Sequence, residues 1–462
     1  MQIQPITHKG YELLHNALPV FADIEQAGFR IDTEKLNTSV AEIRQIKVEA
    51  EEYLKSFPEY KTWKDMVGEE ELKLTSTTQL RKLLYDILDY PILVETAEGQ
   101  PSTDVAALEK IGTDFTNAYL KYRQAQKLSD TYLKGLSGEC VDGHVHTFLN
   151  LHTVSTYRSS SDSPNFQNFP KRDDYMKRII RSCIIPRQDH MLVEFDFKGA
   201  EVTVGAAYHN DKNMIRYLTQ PGTDMHRDVI KDAYMLSDED VTKDIRSTAK
   251  GNFTFPEFYG SYWKAIAPSL WEDSFTLTLK NGKKVIDHLV DKGVNCLGLP
   301  KGKERYPKAN TFCKHIQDTE NIFWDKRFAG YKKWKEEFYW RYCQRGWFDT
   351  KTGFRVHGNF KRNFVVNCPI QGSSFHVLLW AVTQVGNEIK KRNMKSKIIG
   401  QIHDSLVADV HKDEYDDFMS ITLKYMTEGT QREFDWLTVP IEVEAEASPV
   451  NGTWYEMEEI KL

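Results

Sequence analysis

Two acidic residues lie where strands would end. Asp404 belongs to "QIHDSLVADV", residues 401 to 410. The flanking "SKIIGQI" and "LVADV" alternate apolar and polar residues, so the segment reads as two short strands with His403 and Asp404 at the tip of a tight turn. Asp196 closes "HMLVEFDF", His190 to Phe197, a strand pattern in which Val193, Phe195 and Phe197 share one face while Glu194 and Asp196 share the other. Each aspartate alone has a plainer reading, as a turn former or a strand-end cap. If the strands adjoin, the carboxylates face each other. They then repel by about 1–4 kcal/mol, depending on the local dielectric, and persist ionised only with a cation between them. A hard divalent ion such as Mg²⁺ takes one or two carboxylates and leaves its other positions to water and phosphate. That is the arrangement of two-metal phosphoryl transfer.

Three further stretches add to this chemistry. In "RSTAKGNFTFPEFYGSYW", Arg246 and Lys250 are four apart and so share a helix face, followed by Phe253, Phe255, Phe258 and Tyr259. Cations followed by rings suit a nucleoside triphosphate, with charge on the phosphates and an aromatic face against the base; a solvated helix with a packed aromatic edge would look the same. "YRSSSDSPNFQNFP", Tyr157 to Pro170, is a loop of hydrogen-bonding side chains suited to the sugar edge and minor groove of a duplex. "NFVVNCPIQGSS" places Asn363, Asn367 and Gln371 four apart at a helix start.

These groups need elements to position them. "EKLNTSVAEIRQIKVEAEEYLKSF" (34–57) puts Leu36, Val40, Ile43, Ala50 and Leu54 near one helical face, a second helix is expected over 114–136, and "LTSTTQLRKLLYDIL" has a Ser/Thr start typical of a short one. The first 140 residues thus read as a mainly helical lobe. "CVDGHVHTFLNLHTVST" reads as a hairpin, after which strand, loop and helix alternate. "KGAEVTVGAAYH" should begin a helix directly after Asp196, with further helices at 243–260 and at 372–390, where Phe375, Leu378, Val382, Val385 and Ile389 form a stripe. The charge-rich stretch 279–308 resembles an exposed insertion.

Composition bounds the rest. A chain of 462 residues suggests two or three lobes, and no apolar run is long enough to cross a bilayer. With no secretory signal at the N-terminus, a cytoplasmic protein is expected. The six cysteines show no CxxC pair, which argues against a zinc ribbon or a disulfide framework and for buried or inert thiols. A net charge of -6 means that a nucleic-acid site requires basic residues segregated into a groove.

Taken in order, the motifs resemble the polymerase domain of family A DNA polymerases, the group of bacterial DNA polymerase I and its phage relatives. "DFKGAE" matches the family's first motif, Arg246, Lys250 and Tyr259-Gly260 its second, and "QIHDS" its third; the 157–170 loop and "NCPIQG" match two further blocks. The resemblance implies an α+β right-hand fold: an antiparallel palm sheet with helical fingers and thumb. Its boundaries would be thumb and N-terminal segment at 1–140, palm at 141–204 and 361–462, and fingers at 205–360, with an insertion at about 261–322 where a replication partner could bind.

The resemblance also implies roles. Asp196, Asp404 and the backbone carbonyl of Phe197 would hold two Mg²⁺ ions, with Mn²⁺ as a substitute, and Lys250 would join the two aspartates in catalysis. Glu201 matches the steric gate that crowds a ribose 2′-hydroxyl; single-subunit RNA polymerases lack it, which favours DNA synthesis over an RNA-making relative, while intact Asp196, Asp404, Arg246 and Lys250 speak against a non-catalytic DNA-binding derivative. Arg246, Lys250 and His226 would hold the triphosphate, Phe255 (or Phe253) would stack on the incoming base, and Tyr259 would guard the template side. Arg158 and Gln371 would contact the minor groove, Asn165, Asn168 and Asn367 the nearby duplex, and His403 the primer terminus. The implied partners are primer-template DNA and dNTPs, for a monomer with no membrane contact.

The chain departs from the family pattern in two places. Tyr259 follows Lys250 by nine residues where eight is usual, and the third motif reads His-Asp-Ser where many members have His-Asp-Glu. The short chain and that serine point to a phage-type branch. Thumb-like sequence begins within about twenty residues of Met1, so a chain without 3′–5′ proofreading is expected.

Overall fold

The computed structural model describes residues 2–96, 99–170, 173–300 and 306–462. Its centre is a five-stranded antiparallel sheet of β1 (His190–Lys198), β2 (Lys397–Ile402), β3 (Ser405–His411), β4 (Glu442–Ala447) and β5 (Glu458–Ile460), in the order β2-β3-β1-β4-β5. The middle strand is the expected "HMLVEFDF", and its alternation serves both layers. Val193, Phe195 and Phe197 pack with Phe375, Leu378 and Val382 of the long helix Arg362–Lys391 and with Leu13, Val20 and Ile24 of the first helix, His8–Ala27. On the other face Leu192 joins Val407, Ile399 and Ile402 against Phe29, Phe166 and Trp454. Each such side chain stabilises the fold by about 1.5–3 kcal/mol on full burial, so the register of β1 is strongly specified. A slip of one residue would drive Glu194 and Asp196 into the apolar layer.

The helical N-terminal lobe is built on Thr33–Lys55, whose first turn is capped by Asp32, and Asp114–Lys127, capped by Thr113. Leu54, Trp63, Leu84, Phe115 and Tyr119 form its core. The helix expected over 114–136 runs without a gap from Asp114 to Glu139, with a π-helical stretch, Leu128–Leu133, between its α-helical parts Asp114–Lys127 and Lys134–Glu139. Nor does the first helix belong to this lobe, because its apolar face closes the sheet. Only the front of "CVDGHVHTFLNLHTVST" is a hairpin, Cys140–Val141 with His144–Val145; Phe148–Asn150 pairs instead with Ser160–Asp162.

A second helical lobe follows β1. Its core includes Val229, Tyr234, Phe253, Phe258, Leu270, Phe312 and Phe323. The stretch 279–308 is not simply exposed: Leu279, Val285, Leu289 and Val294 are buried in this core, Val285 and Leu289 from the helix Val285–Asp291. The many lysines had masked that sparse apolar pattern; residues 301–305 lie outside the described set. All six cysteines are free, but Cys296 and Cys343 are exposed rather than buried. Among the described residues no helix is long and apolar enough to cross a membrane.

Candidate active site

The antiparallel ladder brings the two aspartates to one end of the sheet. Ser405 on β3 pairs with Asp196 on β1, so Asp404, one residue earlier in the β2–β3 turn, stands level with Phe197, diagonally across from Asp196. Adjoining strands lie about 4.7–4.9 Å apart. The Phe197 N–H donates to the Asp404 carbonyl at 3.4 Å, tying the tip to β1. The tip is tight: Ile402 pairs with Ser405 and His403 adopts a positive φ of 55°, uncommon outside glycine. A polar relay fixes it. Gln167 donates to Ser159 Oγ at 2.9 Å, Ser159 Oγ donates to Gln401 Oε1, and Gln401 Nε2 donates to the His403 carbonyl. Sequence reasoning missed Ser159, Gln167 and Gln401, although all lie inside motifs it had singled out; only spatial contact assigns them this work.

The helix Ala200–His209 starts two residues after β1 ends and carries Glu201 in its first turn. Arg158 bridges the acids, donating to Asp404 Oδ1 at 3.0 Å and to Glu201 Oε1 at 3.3 Å. Tyr259 Oη donates to Glu201 Oε2 at 2.6 Å, and Asn367 Nδ2 to the Tyr259 carbonyl at 3.4 Å. One chain of contacts thus joins the hairpin tip, the 157–170 loop, both sides of the cleft and the long helix. Burial raises the Glu201 carboxyl above its ordinary range, against the Tyr259 hydroxyl and Arg158, which pull it down. Burial also raises the Tyr259 hydroxyl, as does the bond to Glu201.

Glu201, Phe255, Tyr259, Asn367 and Gln371 line one cleft. Phe253 is fully buried in the lobe behind it, whereas Phe255 stacks on Tyr259 with centroids 6.2 Å apart. The nine-residue step from Lys250 to Tyr259 has a local cause. Helix Lys243–Ala249 continues into a π turn, Lys250–Thr254, before Phe255–Phe258. A π turn takes up an extra residue without ending the helix. Gly260 then closes the motif at φ 90°, a conformation that disfavours any side chain, and an added Cβ would sit 2.6 Å from Asn363 Oδ1 and displace that amide.

The cationic group gathers on the helix before that turn. Arg246 and Lys250 are exposed, Lys250 Nζ lies 5.7 Å from the Phe255 ring centroid, and Arg246 Nε donates to Asp224 Oδ2. His226 sits 3.2 Å from Thr254 Oγ1; burial and the Arg246 charge push its imidazole down to about 4, so it is neutral at physiological pH. The 157–170 loop is half structural. Asn165 Oδ1 accepts from Ser161 Oγ and from the Asn168 N–H, and Phe166 is buried against Phe29, which leaves Asn168 exposed.

The residues present suit hard divalent cations. Among the described residues no group of three or more His, Cys, Asp or Glu could hold a metal ion alone, but Asp196, Asp404 and the Phe197 carbonyl offer an oxygen-only set that leaves positions for phosphate and water. The guanidinium of Arg158 already occupies the acidic mouth as a cation, on Asp404 and Glu201.

Comparison with known proteins bears on the same region. The chain is 29% identical over 426 residues to DNA polymerase I of Lactococcus lactis subsp. cremoris, covering 91% of this chain and 43% of that protein. It is 30% identical over 397 residues to its counterpart in L. lactis subsp. lactis, covering 85% and 40%. The chain therefore spans less than half the length of these relatives. In fold it is similar to the POL domain of Pol1 from M. smegmatis, solved in complex with DNA primer-template and dNTP, with a TM-score of 0.74 at 23% identity over 96% of this chain and 70% of that one. The model of DNA polymerase family A matches residues 40–456, a span that holds every motif from which the cleft is assembled, and the chain belongs to that family.

Proposed function

We propose that this chain is a template-directed DNA polymerase that extends a primer 3′-hydroxyl with dNTPs. The observation that best supports the reading is the β1–β3 register, which brings Asp196 and the Asp404 turn to the same end of the sheet, with Arg158 linking Asp404 to Glu201 of a cleft also lined by Phe255, Tyr259 and Gln371. In this reading the central sheet is the palm, the lobe at 205–360 the fingers and the N-terminal helical lobe the thumb.

Asp196, Asp404 and the Phe197 carbonyl would hold two Mg²⁺ ions, which when bound would favour ionisation of the primer hydroxyl and neutralise charge on the phosphates. Arg246 and Lys250, one turn apart on an exposed face, hold the triphosphate; Lys250 faces the charge that develops on the leaving pyrophosphate. The neutral His226 donates a hydrogen bond there. Phe255 stacks on the incoming base, and Tyr259 closes the template side. Arg158, which lies on Asp404 and Glu201, would with Gln371 contact the minor groove. Asn168, Asn367 and His403 contact the primer duplex, and Asn165 acts by holding the loop that presents Asn168. Catalysis is then positioning plus electrostatic stabilisation.

Glu201 fills the space beside the sugar, its carboxylate fixed by Tyr259 and Arg158, and so excludes a 2′-hydroxyl. The test is primer extension with Mg²⁺ and either dNTPs or rNTPs. The wild type should extend with dNTPs; no extension with either set would end this reading, and equal use of both would make it an RNA-synthesising relative. Glu201→Ala should raise rNTP incorporation relative to dNTP by about 10- to 100-fold, the effect of losing about 1–3 kcal/mol of discrimination; an unchanged ratio removes the gate.

A further inference from the structure

The sheet face that carries Asp196 also carries a buried carboxylate with no assigned role. Glu194 is two residues upstream on β1, 7% exposed. Its Oε1 lies 2.8 Å from Ser405 Oγ on β3, the residue paired with Asp196, and that hydroxyl is also 2.9 Å from the Ile402 carbonyl across the hairpin tip. Its Oε2 accepts from Trp454 Nε1 at 3.3 Å. The balancing charge is Arg181, 5% exposed and stacked 4.3 Å over the Trp454 ring. Glu446 on β4, paired with Glu194 in register, faces the same guanidinium. A carboxylate and a guanidinium are costly to bury, and a serine of the third motif is spent holding one of them.

We propose that Glu194 is a positioning residue for the catalytic aspartates. Through Ser405 it joins β1 to the hairpin tip directly behind Asp196 and Asp404, and its charge, set against Arg181, keeps the sheet beneath them favourable to cations. This inference rests on the polymerase reading above.

The test is Mn²⁺ binding, followed by electron paramagnetic resonance, to the complex with a dideoxy-terminated primer-template and the matched dNTP, where no turnover occurs. Asp196→Ala should remove Mn²⁺ binding at the aspartate pair; if it does not, the metal reading itself fails and Glu194 falls with it. With that control in place, Glu194→Gln should weaken Mn²⁺ by about 5- to 10-fold, through lost charge and an uncompensated Arg181, with primer-template and dNTP affinities within about twofold. Glu194→Ser should be equally weak, and the exchange Glu194→Ser with Ser405→Glu should recover Mn²⁺ affinity, which a merely structural defect would not do. If Glu194→Gln does not fold, Ser405→Ala carries the test, with an expected loss of about threefold. Unchanged Mn²⁺ affinity in Glu194→Gln (or in Ser405→Ala, should that stand in), or an exchange variant no better than Glu194→Ser, overturns the proposal.

Discussion

At the edge of the central sheet, the palm of the reading proposed above, Asp404 and Glu201 share one guanidinium and stay partly open to solvent, with side chains 29% and 18% exposed. Inside the second helical lobe, the fingers of that reading, Glu257 and Glu320 lie with Lys335 among aromatic rings: Trp324 Nε1 donates to Glu257 Oε2 at 2.7 Å, the Trp263 N–H donates to Glu320, and Lys335 Nζ sits 3.1 Å from the Trp324 ring centroid. Burial pushes the Glu257 carboxyl up to about 8 and the Lys335 ammonium down to about 7, each opposing the other's shift. The two clusters use similar residues to opposite ends. At the sheet edge the acids share a partly exposed guanidinium, in whose place another cation can be bound. In the helical lobe burial dominates, which favours the uncharged forms of Glu257 and Lys335.

If the palm cluster is the one that performs chemistry, breaking it should cost most. Asp196→Ala is expected to lower the extension rate by at least about 10³-fold, the loss of a charged group that holds the reacting centre. Primer-template affinity, read by fluorescence anisotropy, should stay within about threefold, since it comes mainly from phosphate contacts elsewhere. Turnover near the wild-type rate would refute the metal assignment. Next in size is Lys250→Ala, which removes an exposed fingers cation at the π turn. A fall of about 10²-fold in kcat/KM for dNTP is expected, about 2.7 kcal/mol of transition-state stabilisation. A change confined to KM would make Lys250 a binding residue only.

The contrast also marks what could be read from the chain. Period-2 alternation in "HMLVEFDF" and "QIHDSLVADV" was enough to place both aspartates at strand ends, because register and burial are locked together in a central strand. Four-residue spacing likewise put Arg246 with Lys250 and Asn367 with Gln371. The π turn at Lys250–Thr254 left only a count, nine residues for eight, since an irregular turn has no residue signature of its own. The partners of the site were hidden altogether. Arg158 on Asp404, Asp224 on Arg246 and Glu194 on Ser405 are contacts between segments up to about 250 residues apart, and no local pattern encodes them. The first helix escaped notice because its neighbours, the long helix and β2, lie more than 300 residues downstream. Lysines concealed the apolar positions of 279–294.

The smallest effect should come from the fingers cluster, and it carries the opposite sign. A carboxyl raised from its ordinary 4.5 to about 8 carries no penalty below pH 4.5. As pH rises toward 8 the unfolded chain releases its proton and the folded one keeps it, so the native state loses stability across that window and no further above it. The full shift would cost up to about 5 kcal/mol; attraction to Lys335, and the hydrogen bond that a glutamine amide must find where Glu257 Oε1 has no partner, reduce the net gain of Glu257→Gln to about 1–2 kcal/mol. The variant should therefore melt like the wild type near pH 5 and about 1–2 °C above it at pH 8.5, with extension rate unchanged throughout. Melting curves at the two pH values decide the point. A variant that melts lower than the wild type at pH 8.5 would mean that Glu257 is ionised and held by Lys335, and the fingers cluster would then be a second charged pair rather than a discharged one.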